Sequence, residues 1–495
     1  MVVPNPKVTR RRFLSHLAVA GAATLAVACG SDPAARLSTA TAPVSAPSSA
    51  PANAPGASAP PASAAVPSAA VPSAAAQAST VASAGTQGPV TFVNWEDFKG
   101  TPLEQVIIAY QNQSGRKVEI QATPGTGTEY ETKIRTILAG GAPPDIMRTN
   151  DDYVRYYSVK NQILDLSPYL KRDNINLDDY YKPIADFAKQ PDGKYTAWSL
   201  GSQPIVLYYN ASMFKEAGVT PPPKDYTDKD WKWDNFLDAA KKLTKGTERW
   251  GALLYDATAV EQVWTVNNGV ADGIFSKDGK KFNLADPKGA AAIQWIADLT
   301  CKHQVQPERG LVAQPGVPNL GNNLFVAGRI GMILRAAGTT SYFRRNVPKA
   351  GQPGTFEWDI APVPGQVEQK QEGSLICFTI TKAAKNPDGA WELLKFMGGP
   401  EGSKIFADTG YFVPAYKQNS TMKLGTVAPD NQPANIALFA KAMEFNTAIN
   451  FTEATEAARN VYRPPLDQVW NCQAQAQDVF NKVKQEVEEV LAGKF

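Results

Sequence analysis

The body of this chain predicts an α/β fold built in two lobes. Three observations carry that expectation. Apolar periodicity alternates strand, helix, strand, helix, strand between residues 90 and 149. The folded part runs over residues 88–495, which is too long for one hydrophobic core. All ten Trp lie in that part, beyond a sharp change of composition near residue 88.

The elements follow in order. Val90–Trp95 alternates as a strand. Thr101-Pro102-Leu103-Glu104 reads as a capping box with Pro at the first helical position, and Leu103, Val106, Ile107 and Tyr110 recur at helical spacing until Gly115. Lys117–Gln121 is the second strand. Thr128 with Glu131 opens a second helix carrying Ile134, Ile137 and Leu138, stopped by Gly140-Gly141. Pro144–Met147 opens the third strand. This order implies a largely parallel sheet. In such sheets ligands sit outside the carboxyl ends of the strands. That rule points to Trp95-Glu96-Asp97 after the first strand and to Thr149–Tyr153 after the third, with Asp151 a candidate cap for the helix that follows. Farther on, Gln203–Asn210 reads as a strand, and Trp233–Leu243 as an amphipathic helix. A further helix starts at Asn386-Pro387. Val479 to Leu491 forms a long amphipathic helix at the end.

The N-terminal segment carries an export address. Thr9-Arg10-Arg11-Arg12-Phe13-Leu14 matches the twin-arginine signal pattern. The uncharged stretch after it is too short to span a bilayer and ends in the small residues Ala26-Val27-Ala28 before Cys29. Cys29 sits as in a lipobox and is the expected lipidation site, with residues 1–28 the signal peptide. Residues 30–87 are almost entirely Ala, Pro, Ser, Val and Thr. Such a sequence cannot bury enough apolar surface to offset the entropy of ordering. It reads as a tether reaching about 40 Å as a coil. The expected place of work is therefore the outer face of the cell membrane, with the membrane itself a partner through Cys29.

Composition narrows the function. Removing residues 1–28 takes the formal charge from +3 to −1, so nothing argues for nucleic acid. His16 falls in the signal and leaves only His303, too few for a His-built metal cluster or a catalytic triad. Neither a metal nor a cofactor is expected, nor any enzymatic activity. Three cysteines remain after Cys29. Cys377 lies in the apolar run Leu375–Phe378 and reads as a buried free thiol. A Cys301–Cys472 bridge is left open by the sequence.

Five segments, in order, carry a resemblance. They are Tyr130–Lys133 with Ile137–Ile146; Leu207–Asn210 with Phe214–Gly218; Trp233–Phe236 with Ala239–Thr244; Phe325–Met332; and Ala390–Met397 with a Gly410…Pro414 ending. With these the chain resembles the family 1 extracellular solute-binding proteins, the maltose-binding-protein-like receptors of ABC importers. The resemblance implies a two-lobe periplasmic-binding-protein-like fold with interlobe hinge strands and a ligand cleft. It puts crossings near Gln203–Ile205, near Gly373–Ile376 and after about residue 415. One lobe would hold 88–203 and 375–418, the other 205–373 and 430–495. It implies a monomer that closes on a carbohydrate and delivers it to the permease subunits.

Sugars offer apolar ring faces and a rim of hydroxyls, which suit aromatic rings and carboxylates, amides or Arg. The candidate ligand residues are Trp95, Glu96, Asp97, Asp151, Asp152, Gln203, Trp264, Arg335, Gly338, Thr339 and Tyr411. By the resemblance, Asp152 matches the position that grips sugar hydroxyls. Thr149 stands where maltose-binding members carry a stacking Trp, Gln203 where they carry a carboxylate, and Arg335–Ser341 lacks their second stacking Trp. These departures count against maltodextrin and leave the fold untouched. Trp264 is the preferred stacking residue of the second lobe, so its truncation to Ala is expected to weaken binding while sparing the fold.

Rival readings fare less well. Glu96-Asp97 as a glycosidase pair would need carboxyl groups about 5–9 Å apart across a bond, which sequence neighbours rarely provide. A ferric-ion receptor would use a tyrosine pair, yet Tyr208-Tyr209 already fits a hinge strand. A polyamine or other small-cation receptor, drawing on Glu96, Asp97, Asp151 and Asp152, is the alternative to sugar. A surface lipoprotein without a small ligand is the last.

Overall fold

Strand β4 (Trp198–Asn210) joins the two halves of the sheet. In this computed structural model the described residues are 88–95, 98–125, 127–257, 259–314, 319–422 and 432–494, all within the compact unit Val81–Phe495. The signal, Cys29, the tether, Glu96 and Asp97 lie outside the described residues, as does the side chain of Thr128. The other strands are β1 (Val90–Asn94), β2 (Val118–Ala122), β3 (Ile146–Thr149), β5 (Trp250–Leu253), β6 (Ile330–Ala336), β7 (Trp358–Ala361), β8 (Gly373–Ile380) and β9 (Val413–Pro414). Their order is β2-β1-β3-β8-β4-β6-β5, with β7 and β9 also paired to β4. The sheet is mixed. β1 runs parallel to β2 and β3, and β5 parallel to β6, while β3–β8 and every partner of β4 are antiparallel. The largely parallel sheet expected from the first 60 residues of the body holds only at its two ends.

β4 changes partners along its length. Trp198 to Pro204 pairs with β8, and Gly201-Ser202 with β9. From Ile205 onward it pairs with β6 and β7. Pro204 lacks an N–H, and it falls where the ladder is handed over. Every residue of β4 is buried except Gln203, which is half-buried at that handover. The strand begins five residues before the expected Gln203 because Gly201 and Ser202 carry no strand pattern. A Cβ at Gly201 would lie 2.2 Å from the Val413 carbonyl oxygen, so only glycine lets β9 approach.

The first three helices are α1 (Pro102–Ser114), α2 (Gly127–Ala139) and α3 (Asp151–Val159). α1 ends at Gly115, whose φ of 70° is the left-handed conformation that glycine takes without cost. Its expected capping box is displaced. The Glu104 carboxylate accepts from Gly100 N at 2.7 Å, and the Thr101 hydroxyl donates to the Phe98 carbonyl. The cap position of α3 is Asn150, not Asp151. The Asp151 carboxylate is instead spent on Leu375 N in β8, at 3.0 Å.

Cys301 and Cys472 form a disulfide with Cα atoms 5.6 Å apart, tying the helix Pro287–Cys301 to the end of the helix Thr455–Trp470. Cys377 is free and buried.

Candidate functional site

The carboxyl ends of β1 and β3 meet the β4–β8 crossing, and there the polar side chains gather. At the end of β1, Trp95 is half-buried. The Arg148 guanidinium lies 3.7 Å from its ring centre on one face, and Tyr130 packs against it edge-on at 5.6 Å. The Tyr130 hydroxyl donates to the Arg148 carbonyl at 2.8 Å, fixing that trio.

The next residue of α2 fixes the start of α3. Buried Glu131 accepts from Asn150 Nδ2 at 2.8 Å and from the Tyr157 hydroxyl at 2.6 Å. Burial pushes its carboxyl up to about 7, against the hydrogen bonds from Tyr157 and Asn150. Asp151 Oδ1 accepts from Asp152 N at 3.1 Å while Oδ2 holds Leu375 N. Burial, then the neighbouring Asp152 charge, pushes Asp151 up to about 6.

Asp152 reaches across. Arg459 Nη1, on the helix Thr455–Trp470, donates to Asp152 Oδ2 at 2.7 Å, with the two side chains only 12% and 21% exposed. Arg459 also lies 5.4 Å from the Phe451 ring, and Phe451 packs edge-on against Phe187. Glu372, just before β8, is 5% exposed. Its backbone carbonyl accepts from Ile205 N, but among the described residues its side-chain Oε2 meets no hydrogen-bond donor and Arg459 Nε meets no acceptor. Burial, then the Asp151 charge, pushes Glu372 up to about 8.

A second group lies at the handover of β4. Gln203 Oε1 accepts from Gly338 N at 2.7 Å, and its Nε2 lies 3.5 Å from the Tyr411 carbonyl. A Cβ at Gly338 would stand 2.3 Å from Gln203 Oε1, so the contact requires glycine. Thr339 begins the helix Thr339–Asn346 beside it and is half-buried. Tyr411 is half-buried and stacks on Phe406. Arg335 is spent within its own half. It grips Asp256 with both Nη atoms, at 2.9 and 2.6 Å, and donates to Asn322 and the Leu334 carbonyl. At most one of its five N–H groups is left for a ligand.

Trp264 is corrected by the structure. It is fully enclosed and packs against both Trp233 and Trp295, at 6.1 and 6.2 Å, in a helix whose every residue is buried. A ring without exposed surface is core packing, not a stacking platform. The structure therefore brings together Trp95, Asp151 and Asp152 in one group and Gln203, Gly338, Thr339 and Tyr411 in another. Glu372 and Arg459 were missed. Glu372 follows Gln369-Lys370-Gln371, which reads as an exposed polar loop, and Arg459 belongs to no motif. No signal in the sequence could have found either.

Two cavities differ in kind. One of about 850 Å³, lined by Lys215, Phe343, Arg344, Lys349 and Trp358, lies apart from both polar groups. The other, beside Asp152 and Tyr153 with Thr452 and Glu456 opposite, measures about 20 Å³, room for about one water. Among the described residues no group of three or more His, Cys, Asp or Glu could hold a metal ion, and no helix is long and apolar enough to cross a membrane.

Residues 99–404 match the family described as bacterial extracellular solute-binding protein. The chain belongs to that family. Among curated relatives of this solute-binding protein is a binding protein of Brucella abortus, 25% identical over 238 residues, which are 47% of this chain and 53% of that one. The chain thus spans about half the length of the curated relatives it matches. Solved structures share the fold more fully. The ABC substrate-binding protein Lmo0181 from Listeria monocytogenes, in complex with cycloalternan, superposes with a TM-score of 0.67 at 21% identity, covering 82% of this chain and 99% of that one. The sugar-binding protein MalE from Xanthomonas citri gives 0.67 at 18%, covering 82% and 98%. The fold is the two-lobe periplasmic-binding-protein architecture, with β4 running through both halves of the sheet.

Proposed function

We propose that this solute-binding protein is the extracytoplasmic receptor of an ABC importer, and that it takes a carbohydrate into the cleft at the β4–β8 crossing. One lobe holds 88–203 and 375–418, the other 205–373 and 430–495. Cys29 carries the lipid that tethers a monomer to the membrane through residues 30–87, and the closed, loaded form docks on the permease. The protein carries out no chemical step.

The observation that carries this reading is Trp95 half-buried at the end of β1, near the Asp151–Asp152 pair at the end of β3. An aromatic face beside carboxylates matches a sugar ring and its hydroxyls. Lmo0181 holds cycloalternan and the Xanthomonas protein is a sugar binder, which favours the same ligand class. Gln203 and Tyr411 supply amide and aromatic groups from the crossing. Glu96 and Asp97 extend the same edge in sequence. Ligand contacting both lobes stabilises the closed form by its differential affinity.

A thermal-shift screen against sugars, oligosaccharides, polyamines and Fe(III) tests it. A ligand at 100 times its Kd adds about 2.7 kcal/mol to stability. A shift with a sugar supports the receptor reading, and a shift with polyamine or iron alone replaces its substrate.

A further inference from the structure

The start of α3 and the start of β8 bring together more carboxyl groups than the buried cation beside them can balance. Asp151, Asp152 and Glu372 contribute three carboxyl groups, and the buried cation set against them is Arg459. Arg459 is itself shared, with Asp152 at 2.7 Å and Glu456 at 3.8 Å. Glu372 is 5% exposed and its Oε2 receives no hydrogen bond from the described residues. A buried carboxyl oxygen without a donor is costly, which is a reason to expect that a ligand group completes it. Burial and the Asp151 charge together push the Glu372 carboxyl up to about 8, the mark of a site short of positive charge.

We propose that this cluster is a subsite for an ammonium group, and that the carbohydrate this receptor takes is an amino sugar. The inference rests on the carbohydrate reading of the cleft. An ammonium brings three N–H donors, enough for Glu372 Oε2 and the spare lone pairs of Asp151. It also brings the charge that the cluster lacks, through charge-assisted hydrogen bonds in a largely dry place. A hydroxyl brings a single donor and no charge. A uronate or phosphate would add charge of the wrong sign. Trp95, at the end of the neighbouring strand, offers a half-buried ring to the apolar face of the same sugar. The space beside Asp152 holds about one water, so the ligand enters with the halves apart and the Arg459 bridge open.

Titration calorimetry of the purified protein with glucosamine, N-acetylglucosamine, glucose, glucuronate and spermidine tests this. At about pH 6.5, where the glucosamine amine is charged, glucosamine should bind at least about tenfold tighter than glucose or N-acetylglucosamine. Glu372→Gln should shrink that preference to within about threefold without lowering the unfolding midpoint. Asp151→Asn gives the same readout should the first variant fail to fold. Equal affinity for glucose and glucosamine, or a preference intact in both variants, overturns the amino-sugar assignment and leaves a carbohydrate receptor. Spermidine binding without any sugar binding overturns both. No binding of glucosamine in the millimolar range also overturns the assignment, whatever else binds.

Discussion

Arg459 Nη1 and Asp152 Oδ2 lie 2.7 Å apart although 307 positions separate them in sequence. The contact joins the helix Thr455–Trp470 to the start of α3. Both side chains are mostly buried, so the pair is screened less than a surface bridge.

That contact makes the first prediction. Removing one partner strands a partly buried charge, so Arg459→Ala and Asp152→Ala should each cost about 1–3 kcal/mol. The double variant should cost less than the sum. A urea-denaturation cycle measures the coupling, and strict additivity would show the bridge to be energetically idle. In scattering, the ligand-free Arg459→Ala protein should also be more open.

The second concerns pH. Glu131, Asp151 and Glu372 have folded-state carboxyls pushed up to about 7, 6 and 8. Each is raised above its unfolded value, so the folded state binds more protons in the window between the two. Stability of the ligand-free protein should therefore fall as pH rises from about 4.5 to 8. Denaturant melts at both ends of that range check the sign. Glu372→Gln should flatten the upper part of the curve, and stability rising with pH would contradict the assignment.

The third contrasts two tryptophans. Trp264→Ala empties a fully enclosed site and should cost about 3–5 kcal/mol, reversing the expectation from sequence. Ligand affinity of the protein that still folds should be nearly unchanged. Trp95→Ala removes a half-buried ring, should cost little stability, and should weaken sugar binding about tenfold or more. Melting curves and calorimetry on the two variants separate the roles.

The fourth concerns sulfur. Opening the Cys301–Cys472 bridge, whose ends are 171 positions apart, should cost about 2–5 kcal/mol. Comparing melting points with and without reductant measures it. Burial pushes the Cys377 thiol well up, so a thiol reagent should leave it unmodified until the protein unfolds. Rapid labelling of the native protein would place Cys377 elsewhere.

Periodicity along the chain was enough for α1, α2 and the helix Trp233–Leu243, because each buries one stripe against one core. It was also enough for the alternation of β1, α1, β2, α2 and β3. Ordered segments such as Phe325–Met332 named the family. What the sequence could not decide depends on partners far away. β4 reads as a strand only from Gln203 because the reason for Gly201 is the Val413 carbonyl, 212 positions on. Trp264 resembles a platform until Trp233 and Trp295 close over it. Glu372 and Arg459 are ordinary polar residues in sequence, and only the crossing of β4 and β8 buries them together. Local pattern records which face of an element is apolar. Which charges end up confined in one small, dry space is set by tertiary packing alone.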